Sequence, residues 1–475
     1  MDSHAYQHID AFVASTRGAV FVRRADGLLM IRPDKTLSIN DSAVEILDAL
    51  YRRDAPPAAE ALPGLAARLG VEGDRLLADT AELVEAVGAI LNEDFSPRPG
   101  LRFGVFNRRA VRFPTLSEIA LTYGCQNRCA FCYAASPYRE AQRPPMTTDE
   151  VKRVMERILF EAHVPSLSFT GGEATLRRDL PQLVRFGERL GFRVNLITNG
   201  LRAADEAYAA SLVDAGLASA QVSLEAGEAA LHDRIVGRPG AFERTVAGVG
   251  SFARLGIHVH TNTTLCAANL DHADGLIRFV ARDLGLRTLS MNMVIRTGVA
   301  RGPEGSDMEV SYTEVARRLP ALLDVARAEG IKLVWYSPIP YCIFNPVLHG
   351  LGAKSCACVD GILSVDPTGQ VLPCSSFDAG IGSLLDLPYR RIYNGRAARY
   401  WRGKRFTPPA CAGCPDLDIC AGGCPLYWDA AGSFAELPRP GADDRRGRER
   451  WERRRRRGRS FGVPAPAPQL EGYHG

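Results

Sequence analysis

Short apolar stretches recur through the middle of the chain, and a segment of helix length separates each from the next. The strand-like stretches are residues 166–170, 193–198, 220–225, 258–262 and 290–295. Apolar runs of this length, bounded by Gly, Asn and other turn residues, are typical of buried strands. Strands that alternate with helix-length segments form repeated βα units, so the pattern predicts an α/β fold with a parallel sheet.

The first hundred residues follow a different pattern and contain no cysteine. Residues 18–31 are two apolar runs around Asp26-Gly27, which predicts a hairpin. Asn40 is placed to cap a helix, because the apolar residues that follow it have the spacing of one helix face. Two more amphipathic segments, 58–69 and 74–91, precede a Pro- and Gly-containing linker.

Charge is concentrated near the C-terminal end. Residues 445–459 hold ten arginines and two glutamates, an excess larger than the net charge of +4 of the whole chain. Such a run could attract RNA or an acidic peptide, but most runs of this kind are solvated. The Pro-Ala repeats that follow favour disorder, so we expect a basic, flexible tail at 446–475 and no nucleic-acid partner.

Residues 333–353 contain no charged side chain and are long enough to cross a bilayer. Several prolines and glycines interrupt the stretch, which favours a buried strand and loop over a membrane helix. The N-terminus also lacks the cationic and apolar pattern of a signal segment. We therefore expect a soluble, cytoplasmic protein that does not bind membranes.

Three cysteines, Cys125, Cys129 and Cys132, have the spacing Cys-x3-Cys-x2-Cys. This spacing supplies three thiolates to a cubane iron-sulfur cluster and leaves the fourth iron open for chemistry. Zinc is the alternative, but it would normally recruit a His or a fourth Cys at short spacing. No His follows within thirty residues of Cys132.

The cysteine motif, with Phe131 before its last cysteine, resembles that of the radical SAM superfamily. Gly171-Gly172-Glu173, which follows the strand-like stretch 166–170, resembles the family's site for the methionine amino group of S-adenosylmethionine (SAM). By the same resemblance SAM would chelate the open iron, and side chains at strand ends would bind the rest of SAM. These side chains are Asn199, Ser223, Glu225 and Asn262.

The alternatives at these positions remain open. A Gly-Gly pair can be an ordinary turn, and a polar residue at a strand end is often a helix cap. The resemblance implies that Glu225 contacts the ribose of SAM. Many family members have Asp at this position, so the ribose contact of Glu225 remains open.

Eight further cysteines lie between Cys342 and Cys424 and resemble the SPASM domain, which carries auxiliary iron-sulfur clusters. The resemblance implies that Cys358, Cys374 and Cys424, with Cys356 or Cys342, hold a nearer cluster. Cys411, Cys414 and Cys420 would then hold an outer cluster. The usual seventh cysteine is absent, and Asp443-Asp444 stands there instead, so Asp443 is a candidate ligand.

Zinc at Cys411 to Cys424 and disulfides are the alternatives to auxiliary clusters. Nothing in the sequence directs the chain to an oxidising compartment, which disfavours disulfides. Cys266 has no partner pattern and is expected to be a buried packing residue.

The first unit resembles the PqqD-like domain, a small winged-helix-like module that recognises precursor peptides. The resemblance implies that a leader peptide is captured as an added strand on its exposed sheet edge. A winged helix could instead bind DNA, but the segment has no one-sided basic helix.

The sequence thus predicts a partial (β/α)6 radical SAM barrel between an N-terminal winged-helix-like PqqD domain and a C-terminal Cys-rich SPASM domain. The predicted boundaries are 12–95 for the PqqD-like domain, 96–111 for the linker, 112–335 for the barrel and 336–445 for SPASM.

The resemblance also implies the chemistry. An electron from the reduced 4Fe-4S cluster would cleave SAM to a 5′-deoxyadenosyl radical that abstracts a hydrogen atom. With one or two auxiliary 4Fe-4S clusters as electron acceptors, the expected product is an oxidatively cross-linked, ribosomally made peptide. We expect a flavodoxin or ferredoxin-type reductant. The alternatives are maturation of a metalloenzyme or of a quinone, tungsten-type or haem-like cofactor, or a non-enzymatic iron-sulfur electron carrier.

Overall fold

The computed structural model describes residues 3–31, 35–92, 94, 96, 111–136, 144–302, 305, 307–438 and 445–459. Side chains are described as far as residue 453. The chain divides into two compact units, Met1–Thr115 and Leu116–Gly475. Asp443 lies outside the described residues, so its predicted role as a ligand stays a prediction.

In its described residues, the first unit is a three-stranded antiparallel sheet packed with four helices. Its sheet order is β1-β2-β3, and leucines such as Leu29, Leu47 and Leu83 form its core. The elements are α1 Ser3–Thr16, β1 Val20–Arg23, β2 Leu28–Ile31, β3 Lys35–Ser38, α2 Asp41–Tyr51, α3 Ala58–Leu69 and α4 Gly73–Leu91.

Local signals explain most of this unit. Gly27 adopts φ +64° where β1 turns into β2, a conformation that favours glycine. The Asn40 side chain accepts a hydrogen bond from the Ala43 amide at 2.8 Å and so caps α2. The hairpin and the three following helices are confirmed, whereas α1 and β3 carried no clear sequence signal.

Arg23 fastens the segment after the linker to this unit. The buried guanidinium pairs with Asp26 at 2.8 Å. It also donates hydrogen bonds to the carbonyls of Pro114 at 2.6 Å and Phe113 at 3.0 Å. A buried cation needs this degree of pairing, so the interactions fix the end of the first unit.

In the described part of the second unit, nine strands form a sheet with the order β10-β9-β8-β7-β6-β5-β4-β11-β12. All neighbours are parallel except β11 and β12. The predicted α/β fold with a parallel sheet is therefore confirmed. The strands are β4 Leu116–Ala120, β5 Ser166–Thr170, β6 Arg193–Thr198, β7 Ser219–Ser223, β8 His258–Leu265, β9 Thr288–Met293, β10 Lys332–Trp335, β11 Ile362–Val365 and β12 Val371–Leu372.

Helices connect these strands and continue beyond them. Those among the strands are α5 Thr148–Phe160, α6 Leu180–Leu190, α7 Glu206–Val213, α8 Ala229–Val236, α9 Ala241–Arg254, α10 Ala273–Arg282 and α11 Tyr312–Ala328. Those after the sheet are α12 Tyr389–Tyr393, α13 Arg396–Arg402, α14 Leu417–Cys420, α15 Pro425–Ala431 and α16 Arg445–Arg459.

The two faces of the parallel sheet differ in polarity. One face carries fully buried apolar side chains such as Leu167, Val194 and Val222. The other face is polar and half-buried, and its side chains bond to each other across neighbouring strands. Asn195 Nδ2 donates to Ser168 Oγ at 3.1 Å, and Ser219 Oγ donates to Asn195 Oδ1 at 2.8 Å. Alternation within each strand therefore separates a helix-packed face from a polar one.

The sequence predicts a SPASM domain over residues 336–445, and within this range β11 and β12 extend the sheet of the preceding strands. Ser364 in β11 donates a hydrogen bond to the buried Glu118 carboxylate in β4 at 2.6 Å. The pairing of β11 with β4 thus joins the Cys-rich segment to the sheet.

The start of the basic tail differs from the sequence prediction. Arg445–Arg459 form α16 instead of a flexible chain. Trp451 is buried, and its Nε1 donates to the Phe406 carbonyl at 2.7 Å. Its ring also lies edge-on to Phe434. Arginine dominates the composition of this segment, so nothing in the sequence indicated that Trp451 anchors a helix here.

The uncharged stretch 333–353 forms the end of β10 and a series of turns. Within the described ranges, no helix has the length and apolarity needed to cross a membrane.

Candidate active site

The loop that carries Cys125, Cys129 and Cys132 follows β4 and is held by backbone hydrogen bonds. The Arg128 and Ala130 amides donate to the carbonyls of Val236 at 2.9 Å and Ile235 at 3.2 Å, at the end of α8. The Val299 amide donates to the Cys132 carbonyl at 3.0 Å. The loop therefore has a fixed path between two distant parts of the chain.

The three thiols of this loop are half-buried, and burial raises the pKa of each. For Cys125 the pKa rises to about 11. Its Sγ accepts a hydrogen bond from the Asn127 amide at 3.4 Å and a long one from Asn199 Nδ2 at 3.8 Å. Burial disfavours the charged thiolate form, and bound metal cations stabilise it. The three cysteines therefore fit an iron-sulfur cluster. Phe131 is half-buried within the same loop.

Gly171 and Gly172 lie against the backbone that leads into the cysteine loop. A Cβ on Gly171, where φ is +142°, would lie 2.2 Å from the Thr122 carbonyl oxygen. A Cβ on Gly172 would lie 2.5 Å from the carbonyl oxygens of Tyr123 and Gly124. Only glycine permits this approach, so the Gly-Gly pair brings the end of β5 against the cysteine loop.

Glu173 connects the ends of β5 and β6. One carboxylate oxygen accepts hydrogen bonds from Thr175 Oγ1 at 2.7 Å and Thr198 Oγ1 at 2.8 Å, and the other accepts one from the Asn199 amide at 2.8 Å. The side chain is fully buried. Because Asn199 in turn reaches Cys125, Glu173 orders the backbone beside the candidate cluster.

Ser223, Glu225 and Asn262 lie at the ends of β7 and β8. Ser223 pairs in register with Asn262, whose Nδ2 donates to Asn292 at 3.1 Å. Glu225 is buried and accepts a hydrogen bond from the Thr264 amide at 2.8 Å, and burial raises its pKa to about 8. The Glu225 carboxyl thus makes a structural bond to β8, while Ser223 and Asn262 belong to the polar sheet face.

The cysteine loop also contains polar atoms suited to a ligand. The Gln126 Oε1 and Asn127 Oδ1 atoms are buried and have no hydrogen-bond partner in the described part of the chain. Buried polar atoms without partners are costly, and a bound polar ligand could satisfy them. Their position beside Cys125 supports a cofactor site there.

Four of the later cysteines come together. The Cys358 thiol contacts Cys356 and Cys374, and these contacts are the main reason that its pKa is raised. Burial raises the pKa of Cys358 further. Burial, and then negative charge on Cys356 and Cys374, raises the pKa of Cys424. The structure therefore places Cys356 with Cys358, Cys374 and Cys424.

The backbone of this set is held by Lys404. Its buried Nζ donates hydrogen bonds to the carbonyls of Cys356 at 2.7 Å and Cys358 at 3.4 Å. It also pairs with Asp360 at 2.7 Å. Nothing in the sequence indicated this role for Lys404. The residue is not part of a cysteine motif, and lysine is usually a surface residue.

Cys411, Cys414 and Cys420 form a second set, in which the Cys414 amide donates to the Cys411 carbonyl at 3.1 Å. Burial, and then negative charge on Cys342 and Cys414, raises the pKa of Cys420. Elsewhere, Cys266 is fully buried.

No three His, Cys, Asp or Glu side chains among the described residues are grouped closely enough to share one metal ion. A cubane does not require such a group, because each thiolate binds a different iron.

Gly298 is a further residue that spacing did not reveal. A Cβ there would lie 2.2 Å from the Cys132 carbonyl oxygen, and φ is +55°. It supports the cysteine loop from a position more than 160 residues further along the chain, so no local signal could identify it.

Comparison with known families agrees with this geometry. Residues 119–280 match the Radical SAM superfamily, and residues 356–415 match SPASM, an iron-sulfur cluster-binding domain. The protein is an enzyme that contains a radical SAM domain and a SPASM domain. A radical SAM domain uses a 4Fe-4S cluster and SAM, and a SPASM domain binds auxiliary iron-sulfur clusters, so the predicted cofactors are confirmed. The alternative of a non-enzymatic electron carrier is wrong.

Curated relatives include two different activities. The radical SAM enzyme is 29% identical over 338 residues to an AdoMet-dependent heme synthase of Methanosarcina barkeri, covering 68% of this chain and 95% of the relative. It is 28% identical over 329 residues to a PqqA peptide cyclase of Rhizobium meliloti, covering 66% of this chain and 82% of the relative.

Among solved structures, the fold is similar to that of Streptococcus suis SuiB bound to precursor peptide SuiA. The TM-score is 0.65 at 15% identity, and the match covers 90% of this chain and 99% of SuiB. The two proteins share a fold.

Proposed function

We propose that this radical SAM enzyme oxidatively cross-links a ribosomally synthesised precursor peptide whose leader is held by the first unit. The observation that carries the proposal is the likeness to SuiB over 90% of the chain. Because residues 116–475 make up only about three quarters of the chain, that likeness extends into the first unit. SuiB was solved with its precursor peptide, which supports a peptide substrate for this protein.

The edge of β3 suits a leader peptide. Pairing between β2 and β3 matches Leu29 with Leu37 and Met30 with Thr36, and the Ile39 amide donates to the Gly27 carbonyl at 2.9 Å. Since hydrogen-bonded and non-bonded pairs alternate in an antiparallel ladder, the backbone amides of Thr36 and Ser38 point away from β2. These amides could bind an added strand.

The polar face of the parallel sheet suits the segment to be modified. Its cross-strand pairs include His260 Nε2 with Gln221 Oε1 at 3.2 Å and Asn262 with Asn292 at 3.1 Å. Amide and hydroxyl side chains of this kind can orient peptide groups by hydrogen bonds. When bound, the cluster and SAM supply the hydrogen-atom abstraction that acid-base side chains cannot perform.

A haem-type small molecule is the second candidate substrate. It is favoured by the relative named AdoMet-dependent heme synthase, whose match covers 95% of that relative. The match covers 68% of this chain, which is less than the share of the second unit, so it does not require the first unit. The peptide proposal gives both units a function.

The proposal is tested by substitution of one edge residue. Thr36→Pro removes an outward-facing amide without removing a hydrogen bond of the β2–β3 ladder. We expect the variant to bind the precursor peptide at least about tenfold more weakly, since the strand can no longer be extended in register. Thr36→Ala keeps the amide and is the matched control, which should bind as the wild type does.

Calorimetry provides the measurement, with candidate precursor peptides taken from short open reading frames beside the gene. Equal affinity in all three proteins would contradict leader capture on β3. Cleavage of SAM in the absence of peptide should be the same in the three proteins, because residue 36 lies in the first unit. A loss of that activity in Thr36→Pro would indicate misfolding, and Ser38→Pro then provides the second test.

A further inference from the structure

The outer set of cysteines lacks a fourth thiolate in the expected place. Cys411 and Cys414 are linked by a turn, and Cys420 ends α14, where its amide donates to the Asp416 carbonyl at 2.8 Å. A Cβ on Gly422 would lie 3.3 Å from Cys411 Sγ, so the backbone that follows Cys420 passes next to Cys411. Three thiolates leave one iron of a cubane without a protein ligand.

Cys342 lies beside this set. The amide of the preceding residue, Tyr341, donates a hydrogen bond to Cys420 Sγ at 3.3 Å. Consecutive Cα atoms are about 3.8 Å apart, so this bond places the Cys342 backbone next to Cys420.

The position of Cys342 is fixed on both sides. Pro340 packs on Gly423, where a Cβ would lie 3.0 Å from the Pro340 ring. The Ile343 and Phe344 amides both donate to the Pro340 carbonyl, at 2.8 Å and 3.0 Å, which closes a turn around Cys342. The thiol is exposed, although unligated cysteines are usually buried.

The nearer set does not need Cys342. Cys356, Cys358, Cys374 and Cys424 already provide four thiolates, and the Lys404 ammonium holds Cys356 and Cys358 in place. Cys342 is therefore available to the outer set.

We propose that Cys342 is the fourth ligand of the outer auxiliary cluster and replaces the missing seventh cysteine. The outer cluster is then held by four thiolates, from Cys342, Cys411, Cys414 and Cys420, and has no open iron. A cluster without an open iron can carry electrons but cannot coordinate a substrate group. This assignment rests on the SPASM domain and is independent of whether the substrate is a peptide.

Thiol alkylation of the wild-type protein tests the assignment directly. Iodoacetamide is applied anaerobically to the reconstituted protein and to protein stripped with a chelator, and labelling of Cys342 is followed by peptide mass spectrometry. An exposed thiol reacts readily when free, so we expect labelling to be at least about tenfold slower in the loaded protein. Equal rates in the two samples would overturn the proposal.

Substitution identifies the ligand by a second measurement. In the Cys342→Ala variant we expect the outer cluster to lose one iron and to give the electron paramagnetic resonance signal of a [3Fe–4S] cluster after oxidation. The Asp443→Ala/Asp444→Ala double variant should keep the wild-type spectrum. If the double variant changes the spectrum and Cys342→Ala does not, the fourth ligand is a carboxylate and the proposal is wrong.

Discussion

Lys404 Nζ lies 2.7 Å from Asp360 Oδ1, and both side chains are almost fully buried. The same ammonium donates a hydrogen bond to the Cys356 carbonyl at 2.7 Å. The ion pair therefore fixes the backbone that presents two thiolates of the nearer auxiliary set. A buried pair of this kind depends on both partners, because removal of one charge takes away the attraction that offsets the cost of burying the other.

Replacement of the cation should disrupt the nearer cluster. Lys404→Met removes the ammonium partner of the buried Asp360 carboxylate, and removal of one partner of a buried ion pair typically costs about 3–5 kcal/mol. We expect loss of the nearer cluster in iron analysis and Mössbauer spectra, together with a lower unfolding temperature. The Lys404→Met/Asp360→Leu double variant removes both charges and should recover much of the stability. A double variant no more stable than Lys404→Met would contradict this role.

Glu173 is expected to support SAM cleavage through the backbone that it orders. Glu173→Gln replaces a carboxylate oxygen by an NH2 group that faces a donor, and a hydrogen bond to a charged group contributes about 1.5–3 kcal/mol. We expect the rate of 5′-deoxyadenosine formation to fall by about tenfold or more. Thr175→Val removes one donor but keeps the carboxylate and should cause a smaller loss. Similar losses in both variants would show that the charge is unimportant.

His232 should make the fold sensitive to acid. Its Nδ1 accepts a hydrogen bond from the Glu225 amide at 3.1 Å, and burial lowers its pKa to about 4. Between pH 6.5 and 4 the unfolded state binds the proton and the folded state does not, so stability falls as the pH is lowered through this range.

Chemical denaturation at several pH values measures this effect. A single histidine can contribute a slope of at most about 1.4 kcal/mol per pH unit. His232→Asn supplies an amide oxygen in place of Nδ1 and cannot be protonated, so the stability of this variant should depend less steeply on pH. Identical slopes in the two proteins would exclude His232 as the source.

The sequence predicted the parts of the fold that depend on local patterns. Strand periodicity located β5 to β9 within a few residues, and Asn40 marked the start of α2 correctly. The antiparallel β3 was not predicted, because its half-buried side chains give no alternating apolar signal. Helix α16 was missed, since Trp451, which packs it against the rest of the unit, lies in a segment otherwise dominated by arginine.

The sequence predicted which residues form the candidate site but not how these residues are arranged in space. Spacing identified the cysteines, whereas their grouping depends on long-range contacts. Tyr341 meets Cys420 and Lys404 meets Cys356, each across at least 48 residues of chain. Glu225 was expected to contact a ligand, and its position at a strand end was correct. Its bond to Thr264 depends on the neighbouring strand and could not be deduced from sequence.

The most direct test of the account is the mass of the peptide product. Reconstituted and reduced protein is incubated anaerobically with SAM and with candidate precursor peptides taken from short open reading frames beside the gene. We predict equal amounts of 5′-deoxyadenosine and of a peptide that has lost two hydrogen atoms, since a cross-link forms one bond at the cost of two bonds to hydrogen. SAM cleavage that leaves the peptide mass unchanged, but converts a porphyrin substrate, would contradict the peptide proposal.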